Sequence, residues 1–479
     1  MFGKYRLRAG LAALCLVSGG SAFAGQDAPE RVISSDVLVI GAGGAGLNAA
    51  VTAAMANAKV IVLEKQPTVG GATIISGGSM NFPDPLRQEK MGIKDSPDLM
   101  YQQVLAAGDY RNDPALVRTL VDNAPDLMGW YESLGVKWAD RVFEPFGGLF
   151  PRGHNTGAAA AGRDYVRVLY NAAKAHNVDI HMNTRAVDLI RDGASGPVTG
   201  VKAVDEDGAI TFRAKAVVIA TGGFAGNVKM RMKYDPRLNE SFRTTANPAG
   251  TGPAFNTGDG ITMAQKIGGD VVGMDYIQLI PFTGGRVTDY VGADIWLNSD
   301  GKRFVNEGGR RDVITEAIMR QKGQMCWVIT DEQSVKGATT EGKIRSGVVF
   351  KLNSLKEVAE KIGVDAKALQ ATLDAYNKMA AQKKDPEFGR TTFTQLINKP
   401  PYYVGVERES VHFTQGGLHI NSQTQVLDFD GNAIPGLFAA GETTGGIHGT
   451  NRAGGNSLTA ISVFGRIAGK NAAALAQAQ

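Results

Sequence analysis

The segment DVLVIGAGGAGLNAAVTAAMANAKVIVLEK (36–65) contains the pattern from which the fold is predicted. It opens with an apolar, β-branched run typical of a buried strand (36–40), and a glycine-rich turn, GAGGAG (41–46), follows directly. The alanine-rich segment that comes next (47–56) predicts a helix, and a second apolar run (59–63) predicts another strand. Strand, tight turn, helix and strand in this order are typical of a dinucleotide-binding unit.

An acidic residue at the end of the second strand makes this interpretation specific. Glu64 follows Gly41 at close to the roughly 20 residues expected between the first glycine and the acid that holds the adenosine ribose. A glycine motif alone is weak evidence, but here every part of the unit is in register. We therefore predict an α/β, Rossmann-like domain.

Later segments of the chain supply further strands. A helical pattern (164–175) precedes a short strand (179–182), and two apolar runs (217–220 and 436–440) each lead into small residues. Because the carboxyl ends of parallel strands face one ligand, both runs fit the same sheet. The dinucleotide-binding domain is thus expected to be discontinuous, with its last pieces supplied by the C-terminus.

The region between these pieces (275–411) has a different sequence pattern. Two helices are predicted in it (355–362 and 365–381), the first with a capping box that starts at Ser354 and the second with an N-cap at Asp365. We interpret these helices as a solvated amphipathic pair at the surface.

The N-terminus, MFGKYRLRAGLAALCLVSGGSAFAG (1–25), carries a targeting pattern. A basic start, a short apolar run and Ala-Phe-Ala before the glycine are typical of a removable secretory signal, which predicts a signal segment at 1–24. The apolar run is too short to anchor the chain across a bilayer. Twin arginines are absent, so we expect export through the general pathway to the periplasm, without stable membrane insertion.

Cysteine content and charge exclude several classes of protein. Cys15 lies in the predicted signal, which leaves Cys326 as the one cysteine of the mature chain. An internal disulfide, haem attachment through C-x-x-C-H and a zinc site of cysteines are therefore excluded, and we predict no metal site. The formal net charge of +4 comes without a basic block, so nucleic acid is not an expected partner.

Several segments, in order along the chain, carry a more specific pattern. They are EKQPTVGGATIISGGSMN (64–81), TGGFAGN (221–227), TGDG (257–260), YIQLIP (276–281), GKRFVNEGGRRD (301–312), HFTQGGLHI (412–420) and GLFAAGETTGGIHGTNRAGGNSL (436–458). Together they resemble the flavoprotein subunit of the fumarate reductase and succinate dehydrogenase family, most closely its soluble periplasmic flavocytochrome c fumarate reductases and urocanate reductases. The resemblance covers nearly the whole mature chain.

The resemblance implies an FAD-binding domain at 33–274 and 412–479, with a mobile α+β capping domain inserted at 275–411. Membrane-bound members attach the flavin to a histidine just after a glycine pair. Here that stretch is Ala72–Ile75 and has no histidine, so non-covalent FAD is expected. The residues expected to contact FAD are Gly41, Gly43, Gly44, Gly46, Glu64, Lys65, Gly71, Ala72, Thr73, Gly77, Gly78, Val187, Thr221, Gly222, Asp259, Gly441, Glu442, Ser457 and Leu458.

The source of electrons is expected to be another polypeptide. The haem domain that supplies electrons in the flavocytochromes has no counterpart in this sequence, and no second dinucleotide fingerprint for NADH is present. A separate c-type cytochrome is therefore our preferred donor.

Reduction of a double bond conjugated to a carboxylate requires a hydride donor, cations that hold the carboxylate, and an acid that protonates the α carbon. His412 and Arg452 match the family's carboxylate-holding pair, since an arginine fork suits a planar carboxylate. Taken alone, His412 fits a core histidine and Arg452 a phosphate-binding or surface arginine equally well. Within matched motifs, the substrate-binding interpretation is preferred.

Arg311 matches the family's proton-donating arginine. A free pKa above ~12 makes arginine an unusual acid, so a carboxylate has to return its proton, and Asp289 resembles the family's relay acid. Tyr290 stands where the family has a relay arginine, because this loop is shorter than the family's, and it is a candidate for the substrate pocket. Arg310 is the immediate rival to Arg311, and a surface salt bridge is the alternative for both.

Ile280 marks a departure from the fumarate reductases, which have a histidine there for the substrate's second carboxylate. A carboxylate beside isoleucine would lose its solvation without gaining a partner, at a cost of several kcal/mol. We therefore predict a substrate with one carboxylate, such as acrylate, methacrylate or a cinnamate-like acid, whose apolar end contacts Ile280 and Phe282. Fumarate and urocanate remain alternatives, and urocanate is disfavoured because its imidazole needs a hydrogen-bonding partner.

Two other functions remain open. The same superfamily includes flavin-dependent oxidases and dehydrogenases that run in the opposite direction on an amino acid or a 3-oxosteroid. A non-catalytic flavin carrier would need no substrate-binding groups at all. The combination of Arg311, His412 and Arg452 favours the reductase.

Overall fold

The computed structural model describes residues 31–158, 160–247, 255–337 and 339–479, so the predicted signal segment lies outside the described residues. The helices, in chain order, are α1 (Gly44–Met55), α2 (Gly71–Ile74), α3 (Pro85–Gln88), α4 (Pro97–Ala107), α5 (Pro114–Asn123), α6 (Leu127–Ser133), α7 (Ala161–Ala175), α8 (Val228–Tyr234), α9 (Asp259–Lys266), α10 (Arg311–Met319), α11 (Thr340–Arg345), α12 (Leu355–Ile362), α13 (Ala366–Gln382) and α14 (Asn456–Ala478). The strands are β1 (Val32–Ile40), β2 (Val60–Leu63), β3 (Met80–Asn81), β4 (Gly153–His154), β5 (Asp179–His181), β6 (Arg185–Arg191), β7 (Val198–Asp205), β8 (Gly208–Ile219), β9 (Val271–Val272), β10 (Ile277–Pro281), β11 (Ile295–Leu297), β12 (Cys326–Asp331), β13 (Val349–Leu352), β14 (Tyr402–Glu407), β15 (Glu409–Thr414), β16 (Gly417–Leu418), β17 (Gln425–Leu427) and β18 (Ala433–Ala439).

A largely parallel sheet forms the centre of the dinucleotide-binding part. Its strands lie in the order β17-β18-β8-β1-β2-β5, and β1 pairs in parallel with both β2 and β8. Strand β18 continues the parallel set beyond β8, whereas β17, β6 and β7 are antiparallel additions. The predicted α/β class, the strand–turn–helix–strand unit and the C-terminal contribution to this sheet are confirmed.

Helix α14 anchors the C-terminal piece to α1. Gly465 and Gly469, one turn apart on α14, face the backbone of Ala45 and Ala49 on α1. A Cβ atom at Gly465 would lie 2.6 Å from the Ala45 carbonyl oxygen, and one at Gly469 would lie 2.2 Å from that of Ala49. The two glycines therefore allow the helices to pack backbone against backbone.

The segment 275–411 contains a second sheet, which is antiparallel with the order β11-β12-β14-β13. The predicted helices are present here as α12 and α13. Ser354 Oγ accepts a hydrogen bond from Glu357 N at 3.2 Å, and Asp365 accepts one from Ala368 N at 2.9 Å. The pair is amphipathic as predicted, but its inner face is part of the core of this α+β part. That core includes Val358, Ile362, Leu369, Leu373 and Tyr376.

A two-stranded antiparallel ribbon, β10 with β15, connects the two parts. Strand β15 runs without interruption through the predicted boundary at 411–412, so Glu409 and His412 lie on the same strand. The ribbon thereby brings the QLIP segment (278–281) next to His412. The domain boundaries themselves stay predictions.

Cys326 is buried and unpaired on β12. Burial raises the pKa of its thiol well above the ordinary value. Within the described ranges, no helix combines the length and apolar character needed to cross a bilayer.

Candidate active site

The glycines of the first turn bring backbone close to backbone at the carboxyl end of β1. Gly41 has φ +103°, and a Cβ atom there would lie 2.4 Å from the Ala220 carbonyl oxygen. A Cβ atom at Gly46 would lie 1.8 Å from the Gly41 carbonyl oxygen, so only glycine lets α1 approach the strand so closely. At Gly43 a Cβ atom would meet no atom within 4 Å, because this backbone borders an open cleft.

Polar groups mark one end of this cleft. Glu64 follows β2 and accepts hydrogen bonds from the backbone N–H groups of Ala42 and Gln66, each at 2.8 Å. Burial raises the pKa of its carboxyl above the ordinary value. Across the cleft, Lys65 Nζ lies 3.1 Å from the Asp259 carboxylate. The acid predicted to hold a ribose is thus fixed by backbone donors at the strand end.

Most of the residues predicted to contact FAD line this cleft. They are Gly41, Gly43, Gly44, Glu64, Lys65, Gly71, Ala72, Thr73, Thr221, Gly222, Asp259 and Glu442. Open space beside glycine backbone, a helix N-terminus and an acid at the end of β2 together fit the phosphates and ribose of a dinucleotide.

The other predicted contacts lie outside the wall of the cleft: Gly46, Gly77, Gly78, Val187, Gly441, Ser457 and Leu458. Gly78 packs against α7, since a Cβ atom there would lie 2.3 Å from Ala161 Cβ. Sequence reasoning missed the wall residues Thr184, Ala186, Phe255, Asn256, Met263 and Ile461. On β6 Ala186 lines the cleft, whereas Val187, at an irregularity in the pairing of β6 with β7, does not.

A second polar cluster lies around His412 and Arg452. Arg452 Nη2 is 2.9 Å from His412 Nε2, and Thr245 Oγ1 is 2.8 Å from His412 Nδ1. Arginine has no acceptor, so Nε2 must accept from Arg452 and Nδ1 must carry the proton. Burial and the charges of Arg452 and Arg311 hold the pKa of His412 well below its usual value. The imidazole is therefore neutral in this arrangement.

Arg452 is buried and forms no ion pair with the residues that the structure describes. Its Nη1 donates to the Ala453 carbonyl oxygen at 3.2 Å, and its guanidinium lies 4.6 Å from the centre of the Phe413 ring. Its Nε has no hydrogen-bond partner in the part of the chain that the structure describes. Burial lowers the pKa of Arg452 to about 10, and the charge of Glu442 opposes this shift.

Arg311 is the first residue of α10 and approaches the same cluster. Its Nε and Nη2 donate to the Phe146 carbonyl oxygen at 3.2 and 2.8 Å, while its buried Nη1 has no hydrogen-bond partner within the described ranges. Gly147 and Gly454 make room for it, because Cβ atoms there would lie 2.5 Å from its Cγ and 2.9 Å from its Nη2. Burial, with the charges of Arg452 and Arg286, holds the pKa of Arg311 well below its ordinary value.

The environment of Arg310 differs from that of Arg311, the other candidate for the proton donor. Its guanidinium donates to both carboxylate oxygens of Asp109, at 2.8 and 2.9 Å, and also to Asp312. These hydrogen bonds raise its pKa above the ordinary value. Arg310 is the ion-paired arginine expected under the salt-bridge alternative, whereas Arg311 is buried beside other cations.

The structure does not bring Asp289 into side-chain contact with Arg311. The Asp289 carboxylate accepts from Asn155 Nδ2 at 3.4 Å and lies 3.9 Å from Arg141. Its link to Arg311 runs through backbone: Phe146 N donates to the Asp289 carbonyl oxygen at 3.4 Å, and the Phe146 carbonyl accepts from Arg311.

Tyr290 is also turned away from the arginine cluster. Its hydroxyl accepts from Val335 N at 3.0 Å, and its ring packs with Phe143 and Ala293. The loop that contains Tyr290 pairs with Pro145, next to Phe146 in the chain.

The QLIP strand lies along the cluster. Gln278 Nε2 donates to Asn451 Oδ1 at 2.8 Å and to the Arg452 carbonyl oxygen at 3.2 Å. Ile280, two residues further on the same face, is buried with Phe146 and Trp296. Phe282, beyond the end of β10, is 43% exposed. Sequence reasoning missed Gln278 and Asn451, although both lie in segments that it singled out.

Several buried polar atoms at this place have no partner among the described residues. They are Gln278 Oε1, Arg311 Nη1, Asn451 Nδ2 and Arg452 Nε. An unsatisfied buried polar group costs about 1–3 kcal/mol, more if charged. Three of these atoms are donors, and two of the donors are cationic, so the cluster is suited to an anionic ligand.

The fold and the cleft define a class of protein, and comparison with known proteins confirms it. A family model described as FAD binding domain matches residues 36–458. The chain belongs to this family. It is an FAD-dependent oxidoreductase of the fumarate reductase kind, which acts on carbon–carbon double bonds.

Individual relatives narrow the comparison. The chain is 40% identical to a urocanate reductase of Eggerthella lenta, over 94% of this chain and 76% of that protein. It is 30% identical to an acrylate reductase flavoprotein subunit of Shewanella woodyi, over 91% of this chain and 90% of that protein. A solved structure, the open conformation of a flavocytochrome c3 fumarate reductase, matches with a TM-score of 0.71 and 34% identity, over 92% of this chain and 78% of that chain.

Proposed function

We propose that this protein reduces the carbon–carbon double bond of an α,β-unsaturated monocarboxylate, such as acrylate, methacrylate or a cinnamate-like acid. One observation carries the proposal: Arg311 and Arg452 are buried together, each with an unpartnered nitrogen, beside the apolar Ile280. This site has the charge to hold one carboxylate, and Ile280, the side chain proposed to face the rest of the substrate, offers no hydrogen bond.

Arg452 is the proposed carboxylate anchor, and His412 orients it. The hydrogen bond from Arg452 to His412 Nε2 holds one Nη atom of the guanidinium, which leaves Nε free for a carboxylate oxygen. An incoming anion relieves the repulsion between Arg452 and Arg311. Because the repulsion acts in a buried site, its relief favours binding strongly.

Arg311 is the proposed acid. Reduced FAD, when bound, supplies the hydride that adds to the β carbon, and Arg311 Nη1 donates a proton to the α carbon. Two features suit Arg311 to this role: its lowered pKa makes it a stronger acid, and the Phe146 carbonyl holds its other nitrogens in place. Asp289 remains our proposed source of the returning proton; because its side chain does not contact Arg311, water has to carry the proton from its partly exposed carboxylate.

The acrylate reductase relative supports a substrate with one carboxylate, and Ile280 gives a physical reason for it. A second carboxylate at Ile280 would be desolvated without a partner, at a cost of several kcal/mol. Urocanate is the second candidate, because the urocanate reductase relative is 40% identical. Fumarate is the third, and both would place a polar group against Ile280.

The proposal has three further parts. FAD binds without a covalent bond, a separate c-type cytochrome donates the electrons, and the protein is periplasmic after signal cleavage. The absence of histidine from Ala72–Ile75 supports the first. The similarity to a flavocytochrome supports a cytochrome as donor.

The test follows the oxidation of a reduced viologen dye by purified holoenzyme. Acrylate, methacrylate, cinnamate, urocanate and fumarate are compared at equal concentration. We expect the highest kcat/KM for one of the first three acids and the lowest for fumarate. A preference for fumarate or urocanate would replace the proposal by that alternative, and no turnover with any of them would reject reductase activity on enoates.

A further inference from the structure

Arg310 joins helix α10 to a distant part of the chain. It precedes Arg311, and its Nη1 and Nη2 donate to the two carboxylate oxygens of Asp109 at 2.8 and 2.9 Å. Asp109 lies between α4 and α5, 201 positions earlier in the chain. A two-point contact between guanidinium and carboxylate fixes orientation as well as distance.

Asp109 is in turn fastened to the segment that carries Arg452. The Thr450 hydroxyl donates a short hydrogen bond to the Asp109 carboxylate, and Thr450 N donates to the Gly108 carbonyl oxygen at 3.2 Å. Asp109 has φ +53°, a left-handed conformation that aspartate adopts less readily than glycine. Its carboxylate therefore links the residue before Arg311 to a residue two positions before Arg452.

Such a link is needed because Arg311 and Arg452 repel each other. Both are buried, and neither forms an ion pair with any of the described residues. The N-terminus of α10, where Arg311 lies, adds the partial positive charge of the helix dipole. Without a substrate carboxylate between them, electrostatics alone would push α10 away from Arg452.

We propose that Arg310, Asp109 and Thr450 form a latch that positions Arg311 against the carboxylate clamp of Arg452 and His412. The latch rests on the proposed function, since it places the proposed acid at the proposed anchor. None of its members touches the reacting atoms, so each is a positioning residue. Isolated exposed ion pairs contribute little, but this carboxylate is held from two sides.

The test uses the holoenzyme with the single variants Asp109→Asn and Arg310→Gln. A charge-swapped double variant combines Asp109→Arg with Arg310→Asp. Arg118→Gln is the matched control, because it removes ion pairs with Asp98 and Asp122 that involve only α4 and α5. We expect each single latch variant to lower kcat for the enoate about tenfold, with a smaller change in KM, since misplaced catalytic groups cost rate. The charge-swapped double variant should recover most of the lost kcat, and the control variant should match wild type.

A second readout does not depend on turnover. Hydrogen exchange of the α10 amides (311–319) should become faster in the single variants and return towards the wild-type rate in the charge-swapped double variant. The latch would be overturned if the single variants showed unchanged hydrogen exchange and a kcat within about twofold of wild type. It would also be overturned if the charge-swapped double variant did not recover the loss of kcat. If wild type reduces no enoate, the proposed function fails. The latch is then tested by amide hydrogen exchange alone, and unchanged exchange rates in the single variants would overturn it.

Discussion

Arg452 donates to His412 Nε2 across 2.9 Å, and this contact fixes the protonation of the imidazole. His412 is neutral and passes its Nδ1 proton towards Thr245, while Arg452 carries the positive charge. The anchor for a carboxylate is therefore one arginine oriented by a neutral histidine, rather than a pair of cations.

Arg311→Ala should abolish reduction of the enoate. General acids contribute about 10²–10⁴-fold to rate, so we expect a loss in that range or greater with the dye assay. FAD content, measured by flavin absorbance, should be unchanged, because Arg311 does not line the cofactor cleft. Activity comparable to that of Arg118→Gln would show that the proton comes from another group.

Arg452→Lys should weaken substrate binding although it keeps the charge. Lysine lacks the planar fork, so it cannot bond His412 and a carboxylate in the same geometry. We expect KM for the enoate to rise by about 10-fold or more, in line with loss of a charged hydrogen bond. Thr245→Val should act in the same direction but less, since it frees the imidazole to change tautomer. Unaltered KM in both variants would contradict the role of this pair.

Ile280→His should shift preference from the monocarboxylate towards fumarate. A histidine at this position offers a hydrogen-bond donor to a second carboxylate, which Ile280 leaves unpaired. The ratio of kcat/KM for fumarate to that for acrylate should rise about 10-fold or more, equivalent to about 1.4 kcal/mol. Ile280→Leu, which keeps the pocket apolar, should leave the ratio near that of wild type. An equal ratio in all three proteins would mean that this side chain does not border the substrate.

Glu409 should make the protein less stable as the pH rises. It is buried, Thr315 is its one hydrogen-bond donor among the described residues, and burial raises its pKa to about 8 from an ordinary 4.5. The protonated form is thus favoured by folding, so its stabilising effect is complete below pH 4.5 and is lost as the pH rises through 8. At about 1.4 kcal/mol per pKa unit, the loss amounts to several kcal/mol.

The variant Glu409→Gln tests this, because it keeps the hydrogen-bonding shape without the titration. Thermal unfolding midpoints of wild type should fall between pH 5 and pH 9, and those of the variant should fall less. Parallel curves would show that Glu409 is not the titrating group.

Local parts of the fold and site could be predicted from the sequence, because neighbouring residues determine them. The strand, turn, helix and acid of 36–65 lie within one unit, and the caps at Ser354 and Asp365 depend on residues three positions away. His412 and Arg452 were found from motifs, and their contact agrees with that interpretation.

Contacts between distant segments could not be predicted in this way. The Phe146 carbonyl that holds Arg311 lies 165 positions before it, and the Asp109 partner of Arg310 is further still. The contacts of Asp289 and Tyr290 depend on how their loop pairs with Pro145 and Phe146. Spacing within a single loop contains no information about such pairing.

A crystal structure of the holoenzyme with a saturated product, such as propionate or phenylpropionate, would show directly whether Arg452 anchors the carboxylate. We expect the carboxylate within hydrogen-bond distance of Arg452, the apolar end against Ile280, and Arg311 Nη1 next to the α carbon. A carboxylate bound away from Arg452, or an α carbon that Arg311 cannot reach, would contradict it.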